Sequence, residues 1–383
     1  MLDQLFPHQV CINLERRADR WQRMQAEFAR HGLDRVRRVS ACDGNALVLP
    51  PNWKHTAGAY GCLLSHVAVV QAARELGHEN VLIFEDDAVF DPEFTTRFVS
   101  FSGEVPADWD LLYFGALHKD EPVRVSDHVY RITKANSTYA YALKRTVFDA
   151  FVELNARAEH VLDVNAYALQ ERFNCYCFMP NLAWVQSEYS DVQNRLERHW
   201  YLERSLVLFG AHVDGLLSKT AIVIARSGAN DENALFLERY YREYFAPLAQ
   251  IVVCDDFETG ISNSDLKTRF FLLTDSDLYL ETLDVRANLL LCEQYDGATG
   301  FDHVIDLTTE QARLLRETGI TRGIDVSNTI PAKNIRSQCR FIKCDALAAE
   351  MSQPALHASE QPLHSKSSSR IFNSPNHALR LPR

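Results

Sequence analysis

Asn80-Val81-Leu82-Ile83-Phe84-Glu85-Asp86-Asp87-Ala88 runs four consecutive apolar residues straight into three carboxylates. An uninterrupted apolar run of this length predicts a strand covered on both faces, as in a parallel sheet flanked by helices. The carboxyl end of such a strand opens into the crevice where α/β sheets bind ligands, so Glu85, Asp86 and Asp87 are expected there. Three acids that close repel and raise one another's pKa unless a hard divalent ion or a basic group neutralises them. Mn²⁺ or Mg²⁺ held by one or two carboxylates, with a diphosphate supplying further oxygens, suits the cluster. The competing reading is a solvated acidic turn that caps the next helix. Asp91-Pro92 already offers an N-cap and a first helical position, so the three acids are not needed for capping.

Upstream, Val10-Cys11-Ile12-Asn13-Leu14 reads as a first strand, followed by the basic turn Arg16-Arg17-Ala18-Asp19-Arg20. The helix after it places Trp21, Met24 and Phe28 at spacings three and four on an inner face. An Asn and several arginines where a first strand meets its helix can hold a nucleotide by hydrogen bonds and phosphate contacts, or can be a solvated helix start. Gly58-Ala59-Tyr60-Gly61-Cys62-Leu63-Leu64-Ser65-His66 then leads two glycines into a helix carrying Leu63, Val67, Val70 and Leu76. Glycine at that place permits close approach of a ligand to the backbone.

Taken together, these pieces resemble glycosyltransferase family 25, the group containing bacterial lipooligosaccharide glycosyltransferases and procollagen galactosyltransferases. The resemblance covers roughly residues 8 to 200 and rests on several segments in the family's order. They are Ile12-Asn13-Leu14 with Arg20, Gly61-Cys62-Leu63-Leu64-Ser65-His66, Glu85-Asp86-Asp87 and Trp109-Asp110-Leu111-Leu112-Tyr113-Phe114-Gly115. Ser137-Thr138-Tyr139-Ala140-Tyr141, Asp163, Pro180, Val185-Gln186-Ser187 and Ser190-Asp191 follow. Ala59 departs from the pattern, which often has an acid before the Gly-Cys pair, and so offers no carboxylate for a donor contact there.

The resemblance implies a GT-A type, Rossmann-like nucleotide-sugar-binding fold with the acids as metal site. Mn²⁺ or Mg²⁺ would bridge a UDP-sugar diphosphate and a carboxylate. Asp87 is the first choice as direct ligand, with Glu85 and Asp86 reaching the metal through water or contacting the ribose. Asn13, Arg20, Ser65 and His66 carry over as nucleotide or diphosphate contacts. An inverting transfer also needs a general base. Asp163 is the family-matching carboxylate, with Glu188 and Asp191 as competitors and a helix N-cap as the structural alternative for Asp163. Asp110 starts an apolar strand and can equally be structural.

After about residue 205 the pattern restarts. Thr220-Ala221-Ile222-Val223-Ile224-Ala225, a helix from about Glu232 to Tyr244, and Gln250-Ile251-Val252-Val253-Cys254 predict a second α/β unit over 206–350. Phe270-Phe271-Leu272-Leu273-Thr274-Asp275-Ser276-Asp277 repeats an apolar strand ending in spaced acids and suggests a second, GT-A-like site at Asp275 and Asp277. Val304-Ile305-Asp306 reads as a strand, and Thr308 with Gln311 as a capping box. Residues 351–383, rich in Ser, Pro, His and Arg, are expected to be disordered.

A chain of 383 residues, 46% hydrophobic and 24% charged, suffices for two or three domains. A net charge of −11 argues against general nucleic-acid binding. Nine cysteines without CxxC pairs fit a reducing compartment, and Cys175 and Cys177 read as strand residues on one face. With no long apolar run and neither a basic start nor a secretory apolar region at the N-terminus, the expectation is a cytoplasmic protein able to meet the inner membrane face peripherally. The function expected is transfer of a hexose, galactose from UDP-galactose first, to a glycan or glycolipid acceptor such as lipooligosaccharide or another surface polysaccharide. Alternatives are a catalytically inactive carbohydrate-binding or assembly subunit and a two-headed glycosyltransferase. A phosphotransferase would use the same acids but lacks a Gly-x-x-x-x-Gly-Lys loop. Oligomeric state has no signature here.

Overall fold

The computed structural model describes residues 2–186, 189–192, 195–196, 199–228, 231–246, 248–265, 267–294, 297–299, 303–306, 329–331, 339–343, 371–373 and 377–380. The chain divides into two compact units, Met1–Val207 and Leu208–Arg383.

The first unit is built on a mixed eight-stranded sheet. Its strands are β1 (Gln9–Asn13), β2 (Arg37–Ser40), β3 (Asn80–Glu85), β4 (Leu111–Tyr113), β5 (Val123–Arg124), β6 (Val129–Arg131), β7 (Ala140–Lys144) and β8 (Cys175–Phe178), in the order β2-β1-β3-β7-β4-β8-β6-β5. β1 runs parallel to both β2 and β3, with Ile12 opposite Glu85, while β7 lies antiparallel to β3 with Ala140 opposite Phe84. This is a Rossmann-like α/β organisation, with β1, the helix α1 (Ala18–His31) and β2 forming its first crossover.

The apolar run of β3 is covered on both faces, as its lack of alternation predicts. Val81 and Ile83 join a core with Leu63, Val67 and Val70 of helix α2 (Ala57–Glu75). Phe84 turns to the other side, 5.7 Å from Phe28 and 5.3 Å from Phe90 between ring centroids. Offset and edge-on pairs of this kind are worth about 0.5–1.5 kcal/mol each beyond their buried area. Cys175 and Cys177 both belong to the α2-side core.

Three local expectations are corrected. The buried stripe of α1 is Arg20, Met24, Phe28 and His31, with Trp21 displaced to the half-buried flank under Arg38, whose guanidinium lies 5.5 Å above its ring. The helix after β3 starts at Phe94, not at Pro92, and Asp91 accepts the Glu93 N–H at 2.8 Å in the turn before it. Leu76 is the C-cap of α2 and is exposed.

The second unit holds a six-stranded sheet and a four-stranded one. β9 (Thr220–Ala225), β10 (Gln250–Cys254), β11 (Phe270–Asp275), β12 (Gly297–Thr299), β13 (Cys339–Lys343) and β14 (Ile371–Asn373) pair in the order β10-β9-β11-β13-β12-β14. Asp231 caps helix α4 (Glu232–Phe245) by accepting from the N–H groups of Asn233 and Ala234. The apolar Leu235 and Tyr244 of this helix are exposed, while Phe236, Leu237, Tyr240, Tyr241 and Phe245 fill the core. Val304-Ile305-Asp306 lies within the strand His303–Asp306 of the smaller sheet. Thr308 and Gln311 lie outside the described residues. The tail expected to be disordered contributes two strands, Ile371–Asn373 and His377–Arg380, because each finds ladder partners distant in sequence; its other residues lie outside the described set. Among the described residues, no helix is long and apolar enough to cross a membrane.

Candidate active site

The carboxyl ends of β1 and β3 and the start of α2 enclose an open cleft of about 630 Å³, solvent included, whose walls include Arg16, Arg20, Cys62, Ser65, His66 and Glu85-Asp86-Asp87. The three acids do not behave alike. Glu85 and Asp87 keep partial solvent access, while Asp86 is buried. Arg20 donates to Asp86 at 2.8 Å, and the Asn13 side-chain amide donates to its other oxygen at 2.5 Å. Arg20 also stands 3.5 Å from Asp87. The sequence placed Asn13 and Arg20 on a nucleotide and Asp86 on ribose or metal-bound water. The structure instead commits the Asn13 side-chain nitrogen and one Arg20 nitrogen to Asp86, and Arg38 Nε donates to Asn13 Oδ1 at 2.9 Å. Burial pushes the Asp86 carboxyl above its ordinary value, against the Arg20 charge and the Asn13 hydrogen bond.

Glu85 is held from the opposite wall. Thr138 donates to it at 2.7 Å, and His66 Nε2 lies 3.4 Å from the same oxygen. Burial alone would raise this carboxyl; contacts from His66 and Thr138 and the Arg20 charge outweigh it and keep Glu85 below its ordinary value. His66 is wholly buried and its Nδ1 meets the Tyr141 hydroxyl at 3.0 Å. Ser65 turns away from any ligand role: it accepts the Cys42 N–H at 2.8 Å and donates to the Gly61 carbonyl at 2.6 Å.

The glycines also act differently from the sequence reading. Gly58 and Gly61 lie inside the first turns of α2, not ahead of it. A Cβ on Gly61 would stand 2.4 Å from the Cys42 carbonyl oxygen and 2.6 Å from Gly44 N, and one on Gly58 would meet the Asp191 carbonyl oxygen at 2.5 Å. They admit neighbouring chain, which forms the cleft rim, and not a ligand directly.

Asp163 stands in the first turn of helix α3 (Leu162–Arg172) and accepts the Ser137 N–H at 3.1 Å. It is half-buried and does not line the cleft; burial pushes its carboxyl above the ordinary value, with the Glu85 charge adding to the effect. Ser137 takes φ of 127°, an unfavourable backbone for a residue with a Cβ, and so brings its own N–H to Asp163 while the next residue, Thr138, reaches Glu85. Asp191 lies in the cleft wall paired with Arg17 and, at 3.1 Å, with Arg16. Glu188 lies outside the described residues. Asp110 is structural, accepting from Thr146 Oγ1 at 2.5 Å and from Asn174 N at 3.0 Å. Sequence reasoning assigned no role to Cys62, Thr138 or Tyr141; the one-turn spacing of Cys62 and His66 was the signal available for the first.

The cleft at the carboxyl ends of the first parallel strands is lined mostly by residues within 6–170, with Ser190, Asp191 and Val192 added from beyond them, and residues 6–170 match the model of glycosyltransferase family 25 (LPS biosynthesis protein). The N-terminal region belongs to glycosyltransferase family 25. A family 25 member of Anopheles gambiae is 33% identical over 152 residues, which is 34% of this chain and 26% of that protein. A human relative, named inactive glycosyltransferase 25 family member 3, is 32% identical over 130 residues, 29% of this chain and 22% of that one. The matched stretch spans about a quarter of the length of these two relatives. Among solved structures, a glycosyltransferase involved in the glycosylation of the major capsid of PBCV-1 aligns with a TM-score of 0.25 at 9% identity, over 39% of this chain and 64% of that one. The family 25 match ends before the second unit begins.

Proposed function

We propose that the family 25 region is a metal-dependent hexosyltransferase that moves a hexose, galactose from UDP-galactose in the first instance, onto a glycan acceptor with inversion. A lipooligosaccharide or other surface glycan met from the cytoplasmic side of a membrane is the acceptor class we favour. The observation that carries this reading is the division of labour among the three acids that line the cleft at the end of β3: Asp86 is buried and paired with Arg20 and Asn13, while Glu85 and Asp87 keep partial solvent access. An acid pair of that kind suits Mn²⁺ or Mg²⁺, which would neutralise the charge developing on the UDP leaving group.

In this reading Asp87 and Glu85 hold the metal, and the Thr138 hydrogen bond keeps Glu85 ionised and aimed. The Arg16 guanidinium at the cleft wall adds positive charge for the diphosphate. Of the carboxylates considered as general base, Asp191 lines the cleft and Asp163 does not, so in this reading Asp191 takes the proton of the acceptor hydroxyl as its oxygen forms the new bond to the anomeric carbon and the bond to UDP breaks. Calorimetric titration of the full chain with UDP tests the reading. Binding should need Mn²⁺ and vanish in Asp87→Ala; binding of equal strength without metal, or unchanged by the substitution, would refute it.

The relative named inactive favours a second reading, a family 25 domain that binds a glycan or nucleotide without turnover. UDP release from UDP-galactose in the presence of acceptor glycans separates the two. A second transferase site at Asp275 and Asp277 has weaker support, because Asp277 is buried at 4% exposure.

A further inference from the structure

We propose that Cys62, His66 and Glu85 form a site for a thiophilic divalent cation, Zn²⁺ above all, distinct from the acid pair Glu85 and Asp87. Cys62 and His66 stand one turn apart on α2, so their side chains share a face, and Glu85 meets them from the end of β3. One ligand atom from each, a thiol sulfur, an imidazole nitrogen and a carboxylate oxygen, lie within 4.8 Å of one another, the one such His, Cys and acid group among the described residues.

A second observation points to a ligand. His66 Nε2 is buried in a wholly enclosed ring, and its approach to a Glu85 oxygen at 3.4 Å does not have the geometry of a hydrogen bond. A buried nitrogen left in that state is unfavourable. Nδ1, at 3.0 Å from the Tyr141 hydroxyl, can donate its proton there and leave the Nε2 lone pair directed at Glu85. A metal-bound histidine is held in this way, its other ring nitrogen anchored to a fixed partner. Zinc bonds of about 2.0–2.3 Å in a tetrahedron place neighbouring ligand atoms about 3.4–3.7 Å apart. The His66 to Glu85 separation of 3.4 Å already has that value.

The donor set selects the cation. Carboxylates alone favour Mg²⁺ and Mn²⁺, whereas a thiolate and an imidazole shift preference toward Zn²⁺ and Co²⁺. All three residues line the cleft, so a fourth position is open to water or to a ligand oxygen. Binding converts the Cys62 S–H to a metal-bound thiolate and releases that proton to solvent. Because the two sites share Glu85, Zn²⁺ here would compete with Mn²⁺ for this carboxylate and weaken Mn²⁺-supported UDP binding; that consequence rests on the proposed function, but the site does not.

Titration of the full chain with Co²⁺ reads the site directly. We expect one equivalent to give tetrahedral visible bands and a thiolate-to-cobalt band in the near ultraviolet, both erased by Zn²⁺. Cys62→Ser should lose the thiolate band and weaken Zn²⁺ binding by at least about tenfold. Cys42→Ser, a cleft cysteine outside the trio, should keep both, and Asp87→Ala should keep the band even if the transferase reading fails. A thiolate band that survives in Cys62→Ser, or none in the wild type at stoichiometric Co²⁺, overturns the proposal. Should Cys62→Ser not fold, wild-type alkylation decides: one equivalent of Zn²⁺, but not Mn²⁺, must protect Cys62 from N-ethylmaleimide, and failure to protect overturns it equally.

Discussion

Glu85-Asp86-Asp87 and Asp275-Ser276-Asp277 end equivalent strands of two sheets. In each unit a first strand runs parallel to the strand after its helix and to the strand that ends in acids, and the latter takes an antiparallel partner on its far side: β2-β1-β3-β7 in one, β10-β9-β11-β13 in the other. Both acid-ending strands have buried centres with partly exposed ends. The surroundings differ. In the first unit α2 enters between β2 and β3 and lines the acids with Cys62, Ser65 and His66. In the second, the connection between β10 and β11 carries the six-residue helix Phe257–Ser262, whose Gly260 leaves no room for a Cβ beside Val223 and Cys254. The middle residue also changes. Asp86 needs a buried cation, Arg20, and Ser276 needs only Asp231, to which it donates at 2.5 Å. A shared topology thus puts acids at the same strand end, and the intervening connection decides which side chains surround them.

The comparison can be broken most severely at Asp87, the proposed metal ligand. Asp87→Ala should cut sugar transfer by about 10²–10³-fold, as removal of one group that stabilises developing charge does, while Asp275→Ala/Asp277→Ala leaves the rate unchanged. Equal losses in a UDP-release assay would mean that both strand ends are working sites.

Next in size is the buried pair. Arg20→Ala strands the Asp86 carboxylate and should cost about 3–5 kcal/mol in urea unfolding of the first unit, a loss that Asp86→Asn partly restores in the double variant. The counterpart at the other strand end, Ser276→Ala, removes one hydrogen bond from an Asp231 that keeps other donors, and should cost about 1 kcal/mol. Similar costs at the two places would show that the Asp86 clamp is not specially buried.

The smallest effect is a pH dependence of opposite sign in the two units. Asp163 has a raised pKa, so its penalty sets in as pH rises from the unfolded value through the folded one and is complete above it. Asp163→Asn keeps an oxygen for the Ser137 N–H, should stabilise at neutral pH, and should lose that advantage in acid. Asp231 has a lowered pKa, because hydrogen bonds from Ser227, Ser276 and Ala234 outweigh burial, so its contribution stands above the unfolded value and is lost as pH falls through the folded one. Asp231→Asn should therefore destabilise at neutral pH, and the cost should fade on acidification. Thermal melts of the full chain across the acid range, followed unit by unit, check both signs.

Much of the fold was legible. The unbroken apolar run 81–84 announced a strand buried on both faces, and the core pairs with Leu63 and Phe28 on its two sides bear that out. Family membership was legible too, since motifs in order survive without knowledge of contacts. What misled was local spacing: Trp21 fits the inner face of α1 as well as Arg20 does, and only the buried Asp86 decides that the arginine goes inside.

By itself, then, the sequence determined where strands end in acids and which side chains are apolar enough to be covered, because burial preference is a property of each residue and its near neighbours. Only the tertiary structure decided which acid is neutralised and which faces the cleft. Asn13 and Arg20 reach Asp86 from 73 and 66 residues away. The same holds for Gly61 admitting the 42–44 backbone and for Ser137 linking Asp163 to the wall that holds Glu85. Periodicity reports whether a side chain is covered; the partner that covers it is set by how distant segments pack.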